Sequence, residues 1–218
     1  MIKGRVLISE YTYSILLLSL LVLLFGHLLI PEHLEAIFTP VFLLQNVVVS
    51  LYLLRNYKPW RYALIFLLVL LIVSSCFAQL NLKGVEVFTG FAYIIYFILL
   101  SFNVYKMIYN SSIVGREMIA AVFCGFIMLS TIGSFMFLSV ELFAADSFSN
   151  LGEGVMKYYD LRYFSFITTL TIGYGDIVPQ TTLSKNLTIL LGLAGNFYSV
   201  IVTGIVLGKF VNEKRTIK

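Results

Sequence analysis

Apolar residues occur along this chain in long uninterrupted runs, separated by short polar segments. Six runs of 17–23 residues contain no Asp, Glu, Lys or Arg. A helix needs about 20 apolar residues to cross a bilayer, whereas strands of a membrane barrel are about 10 residues long and alternate in polarity. The pattern therefore predicts an all-α membrane protein with six transmembrane helices, over Ser14–Ile30, Ala36–Leu54, Ala63–Leu80, Val87–Tyr105, Met118–Val140 and Leu187–Gly208.

The amino-acid composition excludes several other classes of protein. The 218 residues are 60% hydrophobic and 12% charged, with mean hydropathy +0.95, whereas a soluble domain is about 25% charged. This excludes a soluble enzyme and a disordered chain. The net charge of +4 is spread thinly between apolar runs, which excludes a basic nucleic-acid binder. The sequence has no metal, nucleotide or nucleophile signature, so we expect neither an enzyme nor a cofactor.

Basic residues between the spans predict the orientation, because Lys and Arg accumulate on the cytoplasmic side. With six spans, both termini lie on one side, and 11 of the 15 Lys and Arg fall there. We therefore expect a multi-pass protein of the plasma or bacterial inner membrane with both termini cytoplasmic. The opposite side holds only four basic residues, Lys83, Lys157, Arg162 and Lys185.

The connection between the fifth and sixth spans differs from the others. It covers residues 141–186 on the predicted outer side and turns apolar again over Tyr158–Leu170. That stretch corresponds to about 20 Å of helix, which is too short to span and too apolar for a free loop. The pattern predicts a re-entrant helix, which is tolerated where protein or a water-filled cavity surrounds it. Asp160 is expected to cap its N terminus.

A glycine-rich segment follows, Thr171–Asp176, with the sequence Thr-Ile-Gly-Tyr-Gly-Asp. Its two glycines can adopt backbone angles that are closed to other residues. An extended strand of this kind can turn successive carbonyl groups toward one side. Four such strands around an axis would stack rings of oxygen atoms that replace the water shell of K⁺.

Together with Thr168, this segment resembles the selectivity filter signature of potassium channels, over a pore module of about residues 118–210. The resemblance implies that K⁺ is bound by carbonyls of the filter and that nearby side chains support it. Tyr163 stands where the family often has tryptophan, and its hydroxyl is expected to donate to Asp176. The implied ion-binding residues are Thr171, Ile172, Gly173, Tyr174 and Gly175, supported by Thr168, Asp176 and Tyr163.

The sixth span carries the candidate gate. Gly195 lies 21 residues after Tyr174, where inner helices of potassium channels have a flexible glycine, so the resemblance implies a hinge. Close helix packing is the alternative for such small residues. Asn196, Ser199 and Thr203 share one helix face and are expected to line a water-filled cavity, unless they form interhelical hydrogen bonds.

The first four spans form a predicted four-helix, sensor-like domain over residues 1–110, followed by a pore domain over residues 111–218. Voltage sensors of the six-span relatives carry regularly spaced basic residues, but the fourth span has none before Lys106 at its end. We therefore expect no strong voltage gating. Ten residues follow the last span, so no regulatory domain is expected after it. Phe210, Lys214 and Arg215 at the inner end are candidate contacts for anionic lipid, although positive-inside anchoring alone is the favoured explanation of the two basic residues.

These observations predict a potassium-selective channel that conducts K⁺ passively. One filter strand cannot encircle an ion, so a homotetramer with the pore on its axis is expected. The partners are then K⁺, the lipid bilayer and identical chains, with K⁺ as the permeant ion. Three alternatives stay open at this point: a potassium transporter subunit, a non-conducting or modulatory channel-like subunit, and a weakly selective cation channel.

Overall fold

The computed structural model describes residues 11–31, 34–53, 62, 65–69, 83–111 and 114–216. These residues form helices joined by loops, and within them there is no strand beyond a single isolated bridge between Phe148 and Pro179. The predicted all-helical class is confirmed for this part of the chain. Its helices are α1 (Thr12–Phe25, continued by a 3₁₀ turn Gly26–Leu29), α2 (Glu35–Leu53), α3 (Lys83–Asn110), α4 (Arg116–Phe143), α5 (Val155–Thr169) and α6 (Thr182–Thr216).

Four of the described helical segments are long and apolar enough to cross a membrane. They are Thr12–Leu29, Gly84–Asn110, Arg116–Phe143 and Thr182–Val211. They contain most of the first predicted span and all of the fourth, fifth and sixth, whereas the apolar part of α2, Phe38–Leu53, is shorter. The predicted third span, Ala63–Leu80, lies outside the described residues apart from the helical residues 65–69.

The chain divides into two compact units. The first unit comprises Met1–Leu70, Phe102–Gly125 and Val202–Lys218, and the second comprises Leu71–Ser101 and Phe126–Ile201. Helices α3, α4 and α6 each contribute to both units. The sequential division at residue 110 stays a prediction, since these units are assembled from several stretches of chain.

Polar side chains fix the helices of the first unit. Ser19 of α1 is buried and accepts hydrogen bonds from the amides of Gln45 (2.9 Å) and Asn46 (2.9 Å) of α2. The carboxylate of Glu117, in the first turn of α4, accepts the backbone N–H of Tyr13 (2.7 Å) and also bonds Ser14. A carboxylate at a helix N terminus satisfies free N–H groups and complements the helix dipole. These bonds therefore hold α1 against both α2 and α4.

Aromatic packing forms the core of the second unit. The rings of Phe137 in α4, Phe148 in the following loop and Phe164 in α5 contact one another at centroid distances of 5.2–5.5 Å. Around them pack the buried side chains of Leu161, Ile167, Ile177 and Leu191. Such clusters stabilise through apolar contact and ring geometry. This core joins α4, α5 and α6 to the segment that follows α5, and so determines where that segment lies.

Candidate functional site

Helix α5 positions the start of the candidate site. It runs from Val155 to Thr169, three residues earlier at its start than the apolar run Tyr158–Leu170 predicted. Ser165 donates a hydrogen bond to the carbonyl of Ser130 in α4 at 2.6 Å. Gly133 of α4 makes this approach possible, because a Cβ there would clash with Ser165 and with Leu191 of α6. Gly133 was not predicted from the sequence, because its role depends on contacts between three helices.

The predicted capping role of Asp160 is wrong. Since α5 begins at Val155, Asp160 lies inside the helix, and the N-cap residue is Gly154, which has no side chain to cap with. The Asp160 carboxylate instead accepts the backbone N–H of Gly152 at 2.7 Å. It therefore ties the preceding loop to α5.

The C-terminal end of α5 runs directly into the filter segment, which we define as Thr171–Asp176. The N–H of Ile172 donates to the carbonyl of Ile167 (2.8 Å), and that of Thr171 donates to Thr168 (3.0 Å). With Thr171 at φ +58°, these two bonds form a Schellman motif, in which the left-handed residue ends the helix. A β-branched residue rarely adopts this conformation, so Thr171 is both the helix stop and a strained first residue of the segment.

Backbone angles alternate along the filter segment. Positive φ values occur at Thr171 (+58°), Gly173 (+60°) and Gly175 (+81°), but not at Ile172 or Tyr174. A positive φ at every second residue lets successive carbonyl groups turn toward the same side of the segment, which is the arrangement of carbonyl rings in an ion filter. All six residues of the segment are exposed in the single chain. The backbone is therefore shaped to present several polar groups to one side.

Three hydrogen bonds hold Asp176 at the far end of the filter segment. Tyr163 donates its hydroxyl to Asp176 Oδ2 at 2.7 Å, which is the bond that the sequence predicted. Asn150 donates its amide to the Asp176 carbonyl at 2.7 Å, and the N–H of Ile177 donates to Oδ1 at 3.1 Å. The Tyr163 bond stabilises the ionised carboxylate, so it lowers the pKa of Asp176 and raises the pKa of Tyr163 to about 12.

The loop before α5 is bonded to the segment after the filter. Ser149 donates its N–H to the Val178 carbonyl (3.0 Å), and Gln180 donates its N–H to that of Ser147 (2.8 Å). Phe148 and Pro179 pair between them. These bonds add to the support that Asn150 gives to Asp176. The role of Asn150 was not predicted from the sequence.

The Tyr163–Asp176 hydrogen bond should be kept over a broad range of pH around neutrality. It requires an ionised Asp176 and a protonated Tyr163. Its contribution is lost when the pH falls through the lowered pKa of Asp176 or rises through the raised pKa of Tyr163. On the resemblance to potassium channels, we expect the K⁺/Na⁺ selectivity of reconstituted protein to stay constant from about pH 5 to about pH 9.

Replacing Tyr163 by phenylalanine tests the same bond. Tyr163→Phe is expected to lower the K⁺/Na⁺ permeability ratio throughout that window, because the Asp176 carboxylate loses its donor. The matched control is Tyr109→Phe, at an exposed tyrosine of α3, which should leave the ratio unchanged. A Tyr163→Phe ratio equal to that of the wild type would contradict a supporting role for this hydroxyl.

Glu141 is a second supporting residue. It lies in the last turn of α4, although the sequence predicted it as the first residue of the outer connection over residues 141–186. Its side chain is only 4% exposed and forms an ion pair with Lys157 of α5 at 3.5 Å. It also accepts the backbone N–H groups of Asp146 (3.2 Å) and Phe148 (3.2 Å). One buried carboxylate therefore joins α4, α5 and the loop between them.

Removing this carboxylate should destabilise the protein. Glu141→Ala leaves the buried N–H of Phe148 without its acceptor, at a cost of about 1–3 kcal/mol. We expect a clearly lower melting temperature in detergent, measured by scanning fluorimetry. Glu153→Ala, which removes an exposed acid from the same loop, is the matched control and should melt like the wild type. Equal melting of the two variants would contradict the structural role of Glu141.

The remaining candidate residues lie on α5 and α6. Thr168 donates its hydroxyl to the Phe164 carbonyl of its own helix at 2.7 Å. Gly195 is packed against the last residue of α5, since a Cβ on it would lie 2.8 Å from the carbonyl oxygen of Thr169. This favours the packing alternative, and the hinge stays a prediction. Three polar residues of α6 are exposed in the single chain, Asn196, Ser199 and Thr203.

Acidic and metal-ligating side chains do not converge in the described part of the chain. No group of three or more His, Cys, Asp or Glu there could hold a metal ion. The polar groups of the filter segment are instead backbone carbonyls, which are typical ligands of a dehydrated K⁺ ion.

Comparison with known proteins agrees with this geometry. The protein family described as "Ion channel" matches residues 135–212, from the second half of α4 to the end region of α6. The chain is 43% identical over 63 residues, 27% of its length, to "Probable potassium channel protein 2" of Methanocaldococcus jannaschii. It is 47% identical over 53 residues, 24% of its length, to "Two-pore potassium channel 4" of Arabidopsis thaliana. No solved structure matches.

Both similarities are partial, since the matched part covers only 18% of the length of each relative. They nevertheless confirm the resemblance to potassium channels that the filter signature indicated. The matched family is one of ion channels and not of enzymes. Residues 135–212 thus match an ion channel family, and they contain α5, the filter segment and most of α6.

Proposed function

We propose that this chain, whose residues 135–212 match an ion channel family, forms a potassium-selective pore that conducts K⁺ passively. The observation that carries the proposal is the filter segment, where positive φ at Thr171, Gly173 and Gly175 alternates with ordinary φ at the residues between them. Hydrated K⁺ sheds its water at carbonyls of Thr171, Ile172, Gly173 and Tyr174 and moves by knock-on between adjacent sites.

The pore is completed by four copies of the chain. One filter segment provides carbonyls on a single side of an ion, so a ring needs several copies, and closed cyclic symmetry is the usual arrangement. The exposure of the segment supports this: the side chain of Tyr174 is 71% exposed and that of Ile172 is 47% exposed. Neighbouring copies would cover these apolar side chains, and the exposed face of Asn196, Ser199 and Thr203 would line the cavity next to the filter.

The topology that accompanies this function has six transmembrane helices per chain, with α5 as a re-entrant pore helix between the last two. α1 and α2, the third predicted span and α3 form the sensor-like domain of residues 1–110, and residues 111–218 form the pore domain. Both termini are cytoplasmic, since 11 of 15 basic residues then lie on that side. Strong voltage gating is not part of the proposal, because the fourth span lacks regularly spaced basic residues.

Potassium flux into liposomes tests the proposal. The purified full chain is reconstituted under a K⁺ gradient and compared with an Na⁺ gradient and with Tyr174→Ala. We expect K⁺ flux that exceeds Na⁺ flux in the wild type, and loss of this difference in the variant. Equal K⁺ and Na⁺ flux would indicate a weakly selective cation channel and would overturn the selectivity.

An absence of all flux from a correctly assembled tetramer would favour the non-conducting subunit instead. Cross-linking followed by gel electrophoresis provides the assembly control, because it reports the number of chains independently of conduction. A dimer or monomer as the largest species would contradict the fourfold pore.

A further inference from the structure

The C-terminal part of α6 is tied to the end of α3 by one side chain. Lys209 of α6 donates from its ammonium group to the carbonyls of Ile108 (2.7 Å) and Tyr109 (2.6 Å) and also to that of Ser111. All four residues belong to the first unit. An ammonium group has three donors, so this arrangement uses all of them on backbone groups at one helix end. We call this set of bonds the Lys209 latch.

The carbonyls at the end of α3 need partners from outside the helix. The last four C=O groups of an α-helix have no acceptor role within it, and α3 ends at Asn110. A positive charge at this end complements the helix dipole, and hydrogen bonds from a charged donor are roughly twice as strong as neutral ones. Residues 111–115 separate α3 from α4. The Lys209 latch therefore joins α6 both to α3 and to the start of this short connection.

The Lys209 latch lies on the buried side of α6. Val202 is buried and lies seven residues before Lys209, so the two side chains share a face of the helix. Thr203 and Leu207 are exposed in the single chain, and Leu207 is about 200° around the helix from Lys209. Thr203 belongs to the face that lines the cavity in the proposed pore. The latch therefore draws α6 toward α3, on the side away from that cavity.

Two glycines precede Lys209 in α6. A Cβ on Gly204 or Gly208 would meet no atom within 4 Å in the single chain, so packing within the chain does not require glycine at either position. Each glycine weakens a helix by about 1 kcal/mol relative to alanine, and glycines are common points of helix bending. The helix can therefore bend between Val202 and Lys209, and the latch fixes the direction of the part that follows.

We propose that the Lys209 latch holds the C-terminal part of α6 away from the pore axis and so favours the open pore. The inference rests on the proposed function, because only a central pore gives the face of Thr203 and Leu207 an axis to face. When the latch is released, water replaces the ammonium group at the carbonyls of α3, and the segment after Gly204 can move toward the axis. Leu207 side chains of the four copies then approach one another, and a narrow apolar constriction stops conduction by losing its water. The latched and released conformations form a two-state equilibrium that the latch biases.

Hydrogen exchange of the purified full chain tests the latch without any need for conduction. The variant is Lys209→Met, which keeps a side chain of similar length but removes its charge and its donors. Lys209→Arg keeps both, and Lys185→Met, at an exposed lysine near the start of α6, is the matched control. Mass spectrometry would follow the backbone amides of residues 202–211. We expect exchange there to become about tenfold faster or more in Lys209→Met only, since loss of three charge-assisted bonds raises the population of the released state.

Potassium flux of the same variants in liposomes tests what the latch does to the pore. We expect K⁺ flux per assembled tetramer to fall about tenfold in Lys209→Met, in proportion to the loss of the latched state. The K⁺/Na⁺ permeability ratio should keep its wild-type value, because the filter segment is unchanged. Lys209→Arg and Lys185→Met should conduct like the wild type. This split between conduction and selectivity distinguishes a latch at the end of α6 from general damage to the fold, which would change both.

Three results would overturn the proposal: unchanged exchange in Lys209→Met, equally faster exchange in Lys209→Met and Lys185→Met, or flux through Lys209→Met that equals or exceeds that of the wild type. If Lys209→Met does not assemble, Lys209→Gln provides a second variant. It keeps two amide donors but loses the charge, and it should change exchange and flux in the same direction. In a wild-type protein without any flux, exchange alone decides for or against the latch, and the missing flux counts against the proposed function.

Discussion

Gly173→Ala is expected to abolish the preference for K⁺ over Na⁺. Gly173 has φ +60°, and an L-residue in the left-handed region costs about 1–2 kcal/mol. A Cβ there meets no atom within 4 Å in the single chain, so the effect comes from the backbone and not from a clash within the chain. In the proposed ring of four copies this cost applies four times, and the carbonyl positions are expected to relax away from the alternating geometry.

The measurement is the K⁺/Na⁺ permeability ratio of reconstituted protein, which should fall at least about tenfold, equivalent to about 1.4 kcal/mol. Gly154→Ala is the matched control. Gly154 has nearly the same angle, φ +57°, and equally open surroundings, but it lies in the loop before α5. Gly154→Ala should lose about as much stability as Gly173→Ala and should leave the K⁺/Na⁺ permeability ratio unchanged. An unaltered ratio in Gly173→Ala would contradict the carbonyl mechanism.

Gly195→Ala should have the second large effect, on stability. The added Cβ would lie 2.7 Å from Thr169 Cγ2, 2.8 Å from its carbonyl oxygen and 3.1 Å from its Cα. Two of these atoms belong to the backbone and cannot rotate away, so α6 or the end of α5 must move. Overpacking of this kind costs about 1–3 kcal/mol. For a chain of this size, we expect the melting temperature to fall by about 2–12 °C.

Gly204→Ala in the same helix is the control. A Cβ at Gly204 meets nothing within 4 Å in the single chain, and alanine favours a helix over glycine by about 1 kcal/mol. Its melting temperature should stay constant or rise. Scanning fluorimetry of both variants separates packing from hinge bending. A hinge at Gly195 would instead give a variant with normal melting and altered flux, and that result would overturn the packing role.

The sequence predicted those features whose cause is local. A transmembrane helix requires only a long apolar run, so four of the six predicted spans correspond to long apolar helices. The filter segment was found because glycines alternate with other residues at Gly173 and Gly175. The Tyr163–Asp176 bond followed from the family resemblance, and the structure contains it at 2.7 Å.

Features that depend on the folded arrangement were missed or misplaced. Glu141 was predicted as the first residue of the outer connection, yet it belongs to the last turn of α4 and is buried beside Lys157. The available signal was an acid placed directly after a long apolar run. Gly133 gave no signal, because the closeness of Ser165 and Leu191 depends on three helices. The capping role predicted for Asp160 was wrong because the apolar run begins three residues after the helix does. The polarity pattern therefore placed the start of α5 too late in the chain.

The Schellman motif at Thr171 has a consequence for how this region can vary in length. The bonds Ile172 to Ile167 and Thr171 to Thr168 join the last turn of α5 to the filter segment without any spacer. One inserted or deleted residue in α5 would rotate everything after it by about 100° and shift it by about 1.5 Å. Substitutions that preserve packing are tolerable along this helix, but insertions and deletions are not. In related sequences, length differences should therefore fall in the loop before Ser147 and not between Val155 and Asp176.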